Sequence, residues 1–169
     1  MTGKLSLAEV NAMARQDFIV RFGGIAEHSP WVAELAAGRR PFDSLEAMVA
    51  AFSGAIRTSP PERQMSLLRA HPDLATKARR LTGDSRREQQ GAGLDSLSAE
   101  EFALFTDLNA RYRGKFGFPF IFAVKGATKH QILQSFERRL ANAPSTEFTD
   151  ALAQVCTIVR FRLADRVQT

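Results

Sequence analysis

A chain of 169 residues, 44% hydrophobic and 24% charged, has the composition of one globular domain that can bury a core without metal or disulfide staples, and general disorder is excluded. Its net charge of +5 raises the question of nucleic acid, yet no zinc spacing, ribonucleoprotein aromatic motif or recognition-helix pattern accompanies the basic residues. The single cysteine, Cys156, cannot close an internal disulfide and fits a reduced, cytoplasmic setting, while no apolar run approaches the length of a membrane span.

The elements are predicted to be helices almost throughout. Ser6-Leu7-Ala8-Glu9 has capping-box spacing and opens a helix running to about Phe22, where Gly23-Gly24 stops it. Its core face is Leu7, Val10, Ala14, Phe18 and Phe22. Ser29-Pro30-Trp31 sets an N-cap before a proline at the first helical position, and Gly38 closes that short helix. Asp43-Ser44-Leu45-Glu46 and Ser59-Pro60-Pro61-Glu62 start two more, the second ending at His71. A short basic helix follows around Leu74 to Leu81. From Thr82 to Leu97 helical periodicity fades and glycines enter at 83, 91 and 93, which predicts loop for at least part of the stretch. Ser98-Ala99-Glu100-Glu101 caps a long helix bearing Phe102, Phe105, Leu108 and Tyr112 on one face and ending near Gly114 to Gly117. Phe118-Pro119-Phe120-Ile121-Phe122-Ala123-Val124 is a continuous apolar run with an internal proline. It is either a buried extended segment or the start of another helix, and periodicity does not choose. Thr128-Lys129-His130-Gln131 opens a helix through Leu140, and a last helix covers roughly Glu147 to Arg166. The expectation is an all-α, single-domain bundle over residues 1–169, of about seven to nine helices, with one short extended apolar segment near Phe118–Val124. Thirteen phenylalanines beside one Trp and one Tyr predict a core built on Phe.

Three histidines carry the first candidate chemistry. His28 stands beside a helix start, where a protonated ring would oppose the dipole, and reads as a neutral structural residue. His130 reads as surface. His71 lies between two helical stretches and directly before Pro72, which bends the chain and fixes the ring's exit angle. Local pattern leaves two accounts of it open. Either it caps the preceding helix, or it is a titratable group held toward a ligand, suited to donating a proton near neutral pH.

Ser85-Arg86-Arg87-Glu88-Gln89-Gln90 is the second constellation, because a carboxylate beside an amide can hold a heterocycle rich in N–H and C=O groups. Ser85 and Glu88 also have capping-box spacing and could satisfy one another's backbone. Arg160 and Arg162 could grip a carboxylate or form a solvated face. Lys77-Ala78-Arg79-Arg80 and Arg86-Arg87 form basic clusters that could equally be solvated, meet nucleic acid, or draw a small anionic substrate. No phosphate-cradling glycine loop, HExxH or CxxC spacing supports a conventional cofactor or a metal.

Five stretches, in this order and spacing, resemble the OHCU decarboxylase family, whose substrate is 2-oxo-4-hydroxy-4-carboxy-5-ureidoimidazoline (OHCU) of urate breakdown. They are Phe22-Gly23-Gly24 through Glu27-His28-Ser29-Pro30-Trp31; His71-Pro72-Asp73-Leu74-Ala75; Ser85-Arg86-Arg87-Glu88-Gln89 with Ala92-Gly93-Leu94; Asn109 through Tyr112 to Phe116-Gly117-Phe118-Pro119-Phe120-Ile121; and Arg162-Leu163. The resemblance implies an all-helical fold, a homodimer, no nucleic-acid or membrane partner, and cofactor-independent decarboxylation of OHCU to (S)-allantoin. It implies roles as well: His71 as proton donor, with Pro72 as its substrate-contacting neighbour; the chemistry of the step adds the expectation that Glu88 aligns or assists His71. Ser85, Arg86, Arg87, Glu88 and Gln89 match the loop that binds the ring and ureido groups. Phe120, Ile121, Phe122, Ala123 and Val124 match the segment whose backbone lines the pocket, and Arg162 matches the C-terminal arginine better than Arg160 does. For Glu27 to Trp31 only similarity carries over. The rival reading is a basic helical module that binds nucleic acid or an acidic partner.

Overall fold

The computed structural model describes residues 3–75 and 81–169. Nine helices occupy them: α1 (Leu7–Ala12), α2 (Arg15–Phe22), α3 (Trp31–Ala37), α4 (Leu45–Thr58), α5 (Pro61–Ala70), α6 (Gly83–Gly91), α7 (Ala99–Phe116), α8 (Lys129–Leu140) and α9 (Pro144–Arg166). Extended pairing among the described residues is a single bridge between Leu5 and Val167, so the chain is all-helical as expected. The basic helix expected around Leu74 to Leu81 falls largely outside the described residues, as does the cluster Lys77 to Arg80.

Two compact units divide the chain: Met1–Ala70 with Cys156–Thr169, and His71–Val155. In the first, Phe18 centres the core, its ring 4.8 Å from that of Phe22 and 6.2 Å from those of Phe42 and Phe52. Each fully buried Phe contributes about 1.5–3 kcal/mol relative to exposure. The single helix expected from Ser6 to Phe22 is instead two, because Met13 and Ala14 are extended. Tertiary bonds override the helical pattern there. Arg40 Nη1 donates to the carbonyls of Val10 at 3.3 Å and Met13 at 2.6 Å, and Asn11 exchanges two hydrogen bonds with the Phe42 backbone. With the break, Ala14 is exposed rather than core. Ser29 does not cap α3 through its side chain either. Its hydroxyl donates to the Glu27 carbonyl, which leaves Pro30 as the residue before the first turn.

In the second unit, Tyr112 is the hub of a Phe cluster, with centroids 4.6 Å to Phe116, 5.8 Å to Phe118, 5.3 Å to Phe120 and 5.9 Å to Phe136. The capping boxes at Ser98/Glu101 and Thr128/Gln131 form as their spacing predicts, and α7 stops at Gly117 in the left-handed region, φ +78°. Phe102 departs from its expected face and is 49% exposed, while Asn109 takes a buried place on α7. Phe118–Val124 lies outside the helices, with Phe118, Phe120, Ile121 and Val124 buried, so of the two alternatives left open by periodicity the start of another helix is excluded.

Candidate active site

α5 ends at Ala70, and the next residue is His71, whose side chain is buried. His28 and His130 are both exposed. His71 is therefore the one histidine taken out of bulk water, and Pro72 prevents the helix from carrying it further.

The turn after Pro72 is held from two helices. Ala75 adopts φ +59°, a left-handed conformation that a side chain disfavours. Its N–H donates to Gln89 Oε1 of α6 at 2.9 Å, and Asn109 Nδ2 of α7 donates to the Leu74 carbonyl at 2.9 Å. One helical turn further along α7, Arg113 Nε donates to the Asp73 carboxylate at 2.8 Å.

Residues 85–89 lie on helix α6 rather than on a loop. Thr82 makes the helix possible where glycines argued against it, since its hydroxyl accepts from Ser85 N at 3.2 Å as an N-cap. Ser85 is thus in the first turn and is not the cap. Helical spacing then sorts the five candidates: Ser85 and Gln89, one turn apart, are buried, Glu88 between them is half-buried, and Arg86 and Arg87 are exposed. Arg87 pairs with Asp84 within the same helix.

A cavity of about 470 Å³ opens beside this helix, lined by Ala75, Arg86, Gln89, Gln90, Leu94 and Phe102 among others. Gln89 and Arg86 share it. His71, Ser85, Arg87, Glu88 and residues 120–124 are not part of its wall. The half-exposed Phe102 closes one side with apolar surface, which is what its expected core position became.

The apolar segment Phe118–Val124 is anchored by side chains. Arg139 Nη1 donates to the Ile121 carbonyl at 2.6 Å, Ala123 N donates to Gln154 Oε1 at 2.9 Å, and the Arg139 guanidinium lies 4.4 Å from the Phe120 ring centroid. Arg139 also donates through Nε to Glu147 Oε1 at 2.7 Å, and that oxygen accepts from the Tyr112 hydroxyl. Burial first, and then the hydrogen bond to Glu147, raise the Tyr112 phenol far above its ordinary value. Two backbone groups expected to line a pocket, the Ile121 carbonyl and the Ala123 N–H, are thus bonded within the protein. Phe122 and Ala123 remain half-buried.

Near the C-terminus the two arginines separate: Arg160 is exposed and Arg162 is buried. Arg162 Nη2 donates to Glu27 Oε1 at 2.8 Å and Nη1 to the Ile25 carbonyl at 3.1 Å. Glu27 had no signal of its own in the sequence, because its partner lies 135 positions away. Among the described residues no group of three or more His, Cys, Asp or Glu is placed to hold a metal ion. What the second unit does offer is a buried imidazole, a half-buried carboxylate and a cavity bearing amide and guanidinium donors, a set suited to proton transfer on a small polar molecule.

Comparison with known proteins supplies the chemistry. A family model described as OHCU decarboxylase matches residues 11–164. The 2-oxo-4-hydroxy-4-carboxy-5-ureidoimidazoline decarboxylase of Haloferax volcanii is 45% identical over 163 residues, covering 96% of each chain. The uric acid degradation bifunctional protein PucL of Bacillus subtilis is 43% identical over 160 residues, which are 95% of this chain and 32% of that one. A solved structure described as (S)-allantoin synthase superposes with a TM-score of 0.81 at 31% identity, over 98% of this chain and 54% of that one.

Proposed function

The chain belongs to the OHCU decarboxylase family, and on that premise we propose that His71 is the proton donor of its reaction. The reaction is the decarboxylation of OHCU in urate breakdown, which makes the protein a carboxy-lyase. Carbon dioxide leaves from the ring carbon next to a C=N bond. The bonding pair forms a new ring C=C bond as the imine π electrons move onto nitrogen, which takes up a proton. The substrate itself is the electron sink. The resulting enol then loses its hydroxyl proton and gains one at the neighbouring carbon, on one face, to give (S)-allantoin. What the protein adds is orientation, stabilisation of the enol-like intermediate, and delivery of that proton.

The observation that supports His71 is its burial directly after α5, before a proline that fixes its direction. Glu88, half-buried on the inward side of α6, is proposed to align or assist the ring, and Ser85 and Gln89 to hold the heterocycle. Arg86, which shares a cavity wall with Gln89, is proposed to draw the anionic substrate. Pro72, Arg87, Phe120 to Val124 and Arg162 are carried as substrate contacts on resemblance alone. A homodimer in a cytoplasmic setting completes the reading, and sedimentation at micromolar concentration tests the dimer.

The decisive experiment supplies freshly generated OHCU to the purified protein and follows the circular dichroism of the product. The wild type is expected to yield optically active allantoin faster than the spontaneous reaction, which gives racemate. His71→Gln is expected to lose at least about 100-fold in rate, the size of a general acid's contribution. A variant with near-wild-type rate and enantioselectivity removes His71 from the role, and racemic product at the spontaneous rate from the wild type removes the whole reading.

A further inference from the structure

The two amide side chains on the turn after His71 grip opposite ends of the same peptide group. Asn109 Nδ2 meets the Leu74 oxygen and Gln89 Oε1 meets the Ala75 N–H, each at 2.9 Å. A peptide oxygen only accepts and a peptide N–H only donates, so both side-chain amides have one possible orientation. Gln89 must turn its oxygen to the backbone. What it can offer in the cavity it lines is therefore the Nε2 donor. We propose that Asn109 is a positioning residue that locks the Leu74–Ala75 peptide and, through it, fixes Gln89 as a hydrogen-bond donor to a carbonyl or anionic oxygen of the substrate.

Three observations converge on this lock. Asn109 lies on α7 and is buried, yet its Oδ1 finds no hydrogen-bond partner among the described residues. A buried amide with an unmet acceptor is a poor choice for stability alone, and its placement is explained by what Nδ2 holds. The peptide it holds leads into Ala75 at φ +59°, a conformation the chain keeps only when its surroundings impose it. Finally, donor and acceptor alternate along one line, from Asn109 through the peptide to Gln89, and such chains polarise each member in the same sense, strengthening the final N–H as a donor.

The proposal rests on the OHCU reading for its substrate, and its test is built so that the two fail separately. Asn109→Leu removes the donor at similar volume. Asn109→Asp, with the same shape and an acceptor facing the Leu74 carbonyl, serves if the leucine variant does not fold. Either variant is expected to lower kcat/KM for OHCU by roughly tenfold to a hundredfold, the scale of a small misplacement at a reacting centre. The double variant with Gln89→Ala is expected to be no worse than Gln89→Ala alone, because position 109 acts only through 89. A residue with a merely structural role would give additive losses, and additive losses overturn the proposal. A second readout needs no turnover: hydrogen exchange at the Ala75 amide is expected to quicken at least about tenfold in both single variants. Unchanged exchange in the Asn109 variant sinks the lock, even if the wild type proves active on OHCU. Faster exchange in a protein inactive on OHCU keeps the lock and discards the substrate.

Discussion

Each unit of the molecule is organised around a buried arginine with the same pair of duties, and the two differ in how far along the chain they reach. Arg139 holds Glu147 and the Ile121 carbonyl, over separations of 8 and 18 residues. Arg162 holds Glu27 and the Ile25 carbonyl, over 135 and 137. Both pairs are almost wholly removed from water, at 4% and 0% exposure in one and 3% and 0% in the other. Closing the longer loop costs about 2.5 kcal/mol more in chain entropy, from (3/2)RT ln(135/8). The near pair is a bracket for the adjoining apolar segment. The far pair ties the beginning of the chain to its end. Equal burial therefore conceals unequal roles in assembly.

The largest effect comes from breaking either pair on one side. Arg139→Met and Arg162→Met should each lose about 3–5 kcal/mol in chemical denaturation, since each strands a buried carboxylate. Kinetics should tell them apart. The near pair can form before the fold is complete, so Arg139→Met is expected to slow folding, whereas Arg162→Met should chiefly speed unfolding. Identical chevron arms would dissolve the distinction.

Next in size is Tyr112→Phe, which removes the hydroxyl donated to Glu147 and should cost about 1.5–3 kcal/mol. It has a pH signature peculiar to the near pair. The phenol's folded pKa is raised above its ordinary 10.0, so its contribution is intact below pH 10 and declines as pH rises beyond, by up to about 1.4 kcal/mol per unit. Tyr112 is the only tyrosine, and Tyr112→Phe should flatten this part of the alkaline limb.

The smallest effect belongs to the exposed pair between Lys129 and Glu101, 2.7 Å apart, which serves as the surface reference for both buried ones. The Lys129 hydrogen bond, followed by that from the Ser98 backbone, holds the Glu101 carboxyl at about 2 against an ordinary 4.5. A lowered carboxyl stabilises the fold above pH 4.5 and loses that contribution as pH falls toward 2. Lys129→Ala should return the Glu101 titration toward its ordinary value by NMR, with little change in overall stability.

This contrast between near and far also explains which features could be read from the residues. The capping boxes at Ser6, Ser98 and Thr128 involve partners three positions away, and all three form as read. The bend at His71 was legible because Pro72 is its neighbour. The break at Met13 and Ala14 was not, because the group that terminates α1 is Arg40. Residues 85–89 stand out in the sequence as a set, but their glycine-rich flanks conceal a helix that Thr82 caps, and only the helix tells Ser85 and Gln89 from Arg86 and Arg87. Arg139 and Glu147 are charged residues on α8 and α9 whose neighbours in sequence carry no sign of burial. Their burial follows from Ile121 and Tyr112, which no local pattern connects to them.

The bridge between Leu5 and Val167 has a practical corollary. Leu5 N donates to the Arg166 carbonyl at 2.9 Å, and Gln168 N donates to the Leu5 carbonyl at 2.8 Å, so the first and last described stretches run side by side. A short flexible linker from Thr169 to Gly3 would join them without disturbing a helix, and new ends could be cut in an exposed turn elsewhere. In engineering terms Leu5 and residues 166–168 form a ready-made seam at which a circular permutant can be closed, and groups fused beside either stretch will crowd the same small patch of surface.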